Sequence, residues 1–177
     1  GEWVAAKGKT TIYAPKIEYN KDTKVAQFKG GVRLEQEDLI VIGEEFEVNF
    51  DTDQGVFRRS VRLERAETKN EEGEVVKDHI ILSCSKLELD TETKDFTAIG
   101  ETRLEHKDFT ASSPHLSYQD EEEKMVFTEG ASLIREKEEI KGEKILIDLK
   151  KKTFEVTGAV ELTFEVKKKD SEVRNDE

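Results

Sequence analysis

Ile17-Glu18-Tyr19-Asn20-Lys21-Asp22-Thr23-Lys24-Val25-Ala26-Gln27-Phe28-Lys29-Gly30-Gly31-Val32-Arg33-Leu34 decides the fold. Ile17 and Tyr19 alternate with polar residues up to a turn-forming cluster, Asn20-Lys21-Asp22-Thr23. From Ala26 onward the even positions are small or apolar and the odd ones mostly polar or charged. Alternation sustained over seven or more residues marks a strand with one buried face. Two such strands joined by a short polar connection are a hairpin.

The same grammar recurs on both sides. Phe96, Ala98, Gly100, Thr102 and Leu104 repeat the alternation, as do Phe154, Val156, Gly158, Val160, Leu162, Phe164 and Val166. Polar clusters at Asp51–Gly55, Asp90–Thr93, Gln119–Glu123 and Lys150–Lys152 separate the apolar stretches. With two prolines and no sustained helical period, the chain is expected to be all-β, antiparallel, with about 10–16 strands. Residues 119–144 are rich in Glu and Lys, which favour helix by propensity. Met125, Phe127, Ala131 and Leu133 nevertheless alternate, and Gly130 and Gly142 interrupt any helix, so the expectation there is strand.

Five units line up. Their first halves are anchored at Ile17, Val48, Leu87, Leu116 and Ile145, spaced 31, 39, 29 and 29 residues apart. Their second halves run Phe28…Gly30…Leu34, Phe57…Arg59…Leu63, Phe96…Gly100…Leu104, Phe127…Gly130…Leu133 and Phe154…Gly158…Leu162. The second unit has Arg59 where the others carry glycine, and the long spacing falls on a polar excess at Thr68–Glu74. That excess is a loop insertion, tolerated because closure cost grows slowly with length. Within the strands that lead into the anchors, the buried face changes parity. Leu39 and Val41 are odd while Phe46, Val48 and Phe50 are even; Phe109 and Ala111 are odd while Leu116 and Tyr118 are even. A one-residue slip moves side chains to the other face, so corners are expected at Gly43-Glu44-Glu45, Ser112–His115 and Gly142-Glu143-Lys144. Strands bent at matching points fold one sheet into two facing layers with a taco-like cross-section.

Composition bounds the function. The 177 residues include 29 Lys plus Arg and 41 Asp plus Glu, for a net charge of −12. That balance disfavours nucleic acid and anionic membrane surfaces, both of which need Lys and Arg. The longest apolar run, Leu39–Ile42, is far short of the roughly 20 residues of a spanning helix. No secretory leader pattern is expected in this sequence, a cleaved one being compatible with it. Cys84, alone in an apolar segment, reads as a small buried hydrophobe. His79, His106 and His115 lie in different units without metal-ligand spacing, and His106 reads as a solvated turn residue. No nucleophile elbow, phosphate loop or zinc motif occurs, so no catalytic residue, metal or cofactor is expected. Trp3 and Tyr13 read as packing at the first strand. The inner-face small residues, Ala26, Gly30, Ala98, Gly100, Ala111, Gly142 and Gly158, either permit bending and close packing or leave room for a ligand.

The unit at 14–35, Ala-Pro-Lys-Ile-Glu-Tyr-Asn-Lys-Asp-Thr-Lys-Val-Ala-Gln-Phe-Lys-Gly-Gly-Val-Arg-Leu-Glu, and its echo at 85–105 resemble the OstA-like lipopolysaccharide-transport family of LptA and LptC. The resemblance covers roughly residues 10–166. It implies one β-jelly-roll domain there, with an N-terminal extension at 1–9 and a charged tail at 167–177. It also implies a periplasmic, non-catalytic bridge that holds lipopolysaccharide or a related lipid by its acyl chains. The expected partners are that lipid, other jelly-roll components of the same transport system and further copies of the chain, joined end to end through edge strands near Thr10–Tyr19 and Thr153–Val166. The groove would be lined by Phe28, Val32 and Leu34; Val48, Phe50, Val61 and Leu63; Leu87, Leu89, Phe96 and Leu104; Leu116, Tyr118, Phe127 and Leu133; and Ile145, Ile147, Phe154, Val160 and Leu162. Each buried methylene contributes on the order of 0.8 kcal/mol, so such a groove needs no specific polar chemistry. Two alternatives stay open: a ligand-free structural or adhesive scaffold filled by its own side chains, and a carbohydrate-active β-roll enzyme using a carboxylate pair.

Overall fold

A computed structural model describes residues 10–166. The expectations for Trp3, the N-terminal extension and the charged tail fall outside them. Sixteen strands occupy the described residues: β1 (Thr10–Tyr13), β2 (Lys16–Asn20), β3 (Val25–Gln36), β4 (Leu39–Asn49), β5 (Gln54–Arg65), β6 (Thr68–Lys69), β7 (Val75–Lys77), β8 (Ile80–Asp90), β9 (Phe96–His106), β10 (Phe109–Gln119), β11 (Lys124–Thr128), β12 (Ala131–Arg135), β13 (Glu138–Gly142), β14 (Lys144–Asp148), β15 (Thr153–Thr157) and β16 (Glu161–Phe164). Fourteen form one antiparallel sheet that does not close, and β6 with β7 forms a separate hairpin. The expected all-β repeat is what the chain adopts, including strands throughout the Glu- and Lys-rich stretch.

Six long strands, β3, β4, β5, β8, β9 and β10, run 11 or 12 residues and bend at mid-length. Beyond them the two halves have different neighbours. β3 pairs β2 along Val25–Lys29 but β1 along Arg33–Gln36. β10 pairs β12 along Thr110–Ser112 but β11 along His115–Gln119. One sheet thereby becomes two layers sharing a bent spine. The register breaks between Ile42 and Glu45 and between Ser113 and His115, and β13 gives way to β14 at Glu143, where the parity changes place the corners.

The extra residue that makes each bend sits on the opposite strand of the hairpin. Gly30-Gly31, Arg59-Ser60, Gly100-Glu101, Glu129-Gly130 and Gly158-Ala159 all have positive φ on two successive residues. A left-handed residue costs a non-glycine about 1 kcal/mol or more, which accounts for glycine recurring there. Arg59 takes φ 68° without that relief. Its guanidinium compensates by reaching Glu44 Oε1 at 2.9 Å and Glu45 Oε2 at 2.5 Å across the corner of β4. The second unit therefore bends like the others.

The repeat register in that unit needs correction. Phe46, not Val48, is the residue paired with Phe57, as Ile17 is with Phe28. Asn49, not Asp51, is the turn residue: its Oδ1 accepts the N–H groups of Asp51 and Thr52, as Asn20 accepts those of Asp22 and Thr23. A side-chain cap two and three residues upstream fixes that position. The anchors Ile17, Phe46, Leu87, Leu116 and Ile145 then stand 29, 41, 29 and 29 residues apart. The excess over 29 is the β6–β7 segment, so the polar insertion folds into a hairpin.

The core lies between the layers. Phe28, Phe46 and Phe57 stack in series at centroid separations of 6.0 and 4.1 Å. A Cβ at Gly55 would meet the Phe46 ring at 2.6 Å, so the small residue makes room for the stack. Burying each ring contributes on the order of 1.5–3 kcal/mol.

Candidate functional site

The inner faces meet along most of the length. Phe28, Leu34, Leu63, Leu87, Leu89, Leu104, Leu116, Phe127 and Ile145 are fully buried, and Val32, Val48, Val61, Phe96, Tyr118, Leu133 and Ile147 nearly so. Sixteen of the twenty expected lining residues thus share one continuous core. Ala26, Ala98 and Ala111 are fully buried in it, and the inner-face glycines serve corners or close contacts, as at Gly142, where a Cβ would meet Val156 Cγ1 at 2.5 Å. Phe50 lies at the rim, half-buried, its ring edge-on to Tyr19 at 6.1 Å. The other three, Phe154, Val160 and Leu162, belong to the last unit. Phe154 is half-buried, and Val160 and Leu162 are 55% and 53% exposed.

Opposite the corners, hairpin turns of the two layers meet in polar clasps. In the first, Gln36 Nε2 donates to the Thr91 carbonyl at 2.5 Å, and Lys94 pairs with Glu37 and, at 3.7 Å, with Asp38. Burial alone would lower the Lys94 pKa; the carboxylates outweigh it and raise it. In the second, the Arg65 guanidinium, almost wholly buried, donates to Tyr118 Oη at 2.5 Å and to the Asp78 carbonyl at 2.6 Å. It also faces Asp120 at 3.7 Å and Glu123 at 3.9 Å. Lys77, from the end of the inserted hairpin, reaches Asp120 Oδ2 at 2.7 Å. Burial pushes the Glu123 carboxyl above the usual carboxylate range and raises the Tyr118 phenol as well.

Beyond the second clasp the layers part. Between Phe109, Leu133, Ile147, Leu149 and Phe154 lies a cavity of about 430 Å³, within the roughly 300–1,000 Å³ of ligand pockets. Its rim carries Lys107, Arg135 and Lys152 beside Asp78, Asp108 and Glu136, a surface of mixed sign. Arg135 lies 5.0 Å over the Phe154 ring, a contact between the two layers. The inward register continues onto β16 as Leu162 and Phe164, the latter 58% exposed.

His106 is not the solvated turn residue the sequence suggests. Its ring is almost wholly buried, stacked on Phe109 at 4.7 Å and bonded to Asp78 Oδ2 at 2.9 Å. Burial raises the Asp78 carboxyl, but the bond to His106 and nearby Lys107 outweigh it and hold it below its ordinary value. Tyr13 stays on β1, under the Arg33 guanidinium at 4.6 Å. Cys84 is buried, its thiol pushed up to about 11 by burial. Among the described residues no group of three or more His, Cys, Asp or Glu could hold a metal.

Sequence reasoning missed the clasps, although a signal was there. Gln36 continues the inward register of Val32 and Leu34, and Arg65 that of Val61 and Leu63. A polar residue at an inward position requires a buried partner.

A family model described as LptA/(LptD N-terminal domain) LPS transport protein matches residues 11–153. The chain belongs to that family. Its members are non-catalytic transport components, which sets the carbohydrate-active enzyme aside. The match spans nearly all of the bent sheet, from β1 to the start of β15. No curated protein matches the chain. Among solved structures it is similar to LptH, the LptA-homologous periplasmic component of the lipopolysaccharide transport device of Pseudomonas aeruginosa. The identity is 13% and the TM-score 0.39, over 89% of this chain and 95% of that one.

Proposed function

We propose that this lipopolysaccharide-transport protein works in the periplasm as a bridge that holds lipid by its acyl chains between the two layers. The cavity at the parting of the layers carries this reading. Its apolar lining, Phe109, Leu133, Ile147, Leu149 and Phe154, continues the packed interior, with the buried His106 ring and Asp148 carboxylate beside it. An acyl chain entering beside Phe109, Leu133 and Phe154 gains about 0.8 kcal/mol per buried methylene. The charged head remains at the rim, near Lys107, Arg135 and Lys152. This placement reconciles a net charge of −12 with an anionic amphiphile, because binding rests on apolar burial.

The terminal strands support assembly. β1 and β2 form one edge of the sheet and β15 and β16 the other. Edges of this kind accept a further strand by backbone pairing. Other components of the same system, or further copies of this chain, would dock there.

The close packing of the first units favours a second reading, a scaffold filled by its own side chains. Binding separates the two. Phe154→Asp should lower affinity for purified lipopolysaccharide at least tenfold, while Glu155→Lys, one residue away on the outer face, leaves it unchanged. Absence of binding by the unaltered protein, or wild-type affinity in Phe154→Asp, defeats the transport reading. Sedimentation that stays monomeric at high concentration, with or without a family partner, defeats the end-to-end arrangement.

A further inference from the structure

The clasps separate a closed stretch of interior from an open one, and at the rim of the closed stretch the links between the layers are polar and ionic. Between the layers, apolar packing is continuous from Ile12 to Leu149, with Phe109, Phe154 and Val156 packed partly buried against it. Along the rim, the links between turns are charged or polar side chains: Gln36, Glu37 and Asp38 against Thr91 and Lys94, then Arg65, Lys77 and Asp78 against Tyr118, Asp120 and Glu123. The backbone N–H of Asp120 donates to Asp95 Oδ1 at 2.8 Å, joining the two groups. Where these links end, the cavity begins.

Two features mark the clasps as breakable. Each holds a buried polar atom without a hydrogen-bond partner: Gln36 Oε1 in the first and Arg65 Nε in the second. Each such atom costs roughly 1–3 kcal/mol relative to a satisfied one. The second clasp also depends on the inserted hairpin, which supplies Lys77 and leads directly into Asp78. The other units have no equivalent segment. Buried ion pairs recover only part of their desolvation cost, and solvated charges are a competitive alternative.

We infer that the clasps are a gate. In the closed form described, lipid reaches only the cavity near Phe154. Release of Arg65 and Lys94 from the facing carboxylates lets the layers part along the rim and exposes the inner face around Phe57 to acyl chains. The occupant is the lipid of the proposed function, so the inference rests on that reading. The inserted hairpin acts as a strap across the rim of the second unit.

The test places a photo-reactive phenylalanine analogue at Phe57, inside the clasped stretch, or at Phe154, in the cavity, and measures capture of purified lipopolysaccharide. Two opening variants are used: Arg65→Met in the buried clasp, and Lys94→Ala at the first, which leaves the fold intact if Arg65→Met does not. A locked form carries Asp38→Cys and Lys94→Cys bridged by a short bis-maleimide in a Cys84→Ser background. Capture at Phe57 should rise at least threefold in an opening variant and fall below the unlocked level in the locked form. Capture at Phe154 should not change. Equal capture at Phe57 in locked and opened forms overturns the gate, and so does capture at Phe154 with none at Phe57 in every variant. Loss of capture at Phe154 in the unaltered protein overturns the lipid reading, and the gate with it.

Discussion

Leu34 and Leu162 occupy the same position in the first and last units, four residues after the first member of the Gly30-Gly31 and Gly158-Ala159 corners. Val32 and Val160 are likewise equivalent. Leu34 and Val32 are 0% and 2% exposed, whereas Leu162 and Val160 are 53% and 55% exposed. Residue type and register do not account for the difference; neighbours do. Leu34 lies between β1 and β4, faces a packed second layer and sits beneath a clasp. Leu162 pairs only with Ile140 of β13, on an edge where the layers have parted. In a stacked repeat, a unit buries its apolar face through what stands beside it. The terminal unit therefore presents the same apolar surface that the interior units hide.

Substitutions in the two regions should have unequal effects. The clasps should differ from the mouth most. Arg65→Ala takes the guanidinium from the buried Glu123 and from Tyr118 Oη, leaves Asp120 with Lys77 alone, and should cost about 3–5 kcal/mol in urea unfolding. Arg135→Ala, whose pair with Glu138 is solvent-exposed, should cost about 1 kcal/mol or less. Comparable costs would mean that the clasps do not hold the layers. Next come the equivalent leucines. Leu34→Ala should cost about 2–5 kcal/mol, and Leu162→Ala should stay within about 0.5 kcal/mol in the monomer. A large loss at Leu162 would show that the last unit is covered after all.

Titration of Glu123 gives a smaller effect with a definite sign. Its folded pKa is raised by burial, so its contribution to stability is present below its unfolded pKa, near 4.3, and is lost as pH rises through the folded value. The stability of Glu123→Gln relative to the unaltered protein should therefore increase as pH rises from 4 to 7. A constant difference would show that Glu123 is solvated. Asp78 should behave oppositely, its contribution appearing above its unfolded pKa and fading as pH falls through a lower folded one. The smallest effect concerns the corners. Arg59→Gly gives up two exposed ion pairs and relieves a left-handed residue, two opposing changes that should leave the urea midpoint nearly unchanged.

The alternating residues made the bent, two-layered sheet legible, because period-two burial and its parity slips are written directly at Leu39–Phe50 and Phe109–Tyr118. Three things were not legible. The second unit was misaligned by two residues because Asn49 and Asp51 are both turn formers, and only hydrogen bonding distinguishes them. The burial of His106 depends on Asp78 in another strand. The separation of a clasped interior from an open mouth depends on turns 43 to 57 residues apart in sequence, such as Lys77 with Asp120 and Glu37 with Lys94. Alternation reports which face a side chain takes; it does not report whether the opposite layer stays in contact.

In the proposed function, lipid enters where the layers part. Phe154 and Glu155 are adjacent on β15 and point to opposite faces. With a photo-reactive residue at each position in turn, exposure to lipopolysaccharide should yield a lipid adduct at 154 and none at 155. Equal labelling at both positions, or none at 154 under conditions where a lipopolysaccharide-binding member of the family is labelled, would rule out entry of lipid at the parting of the layers.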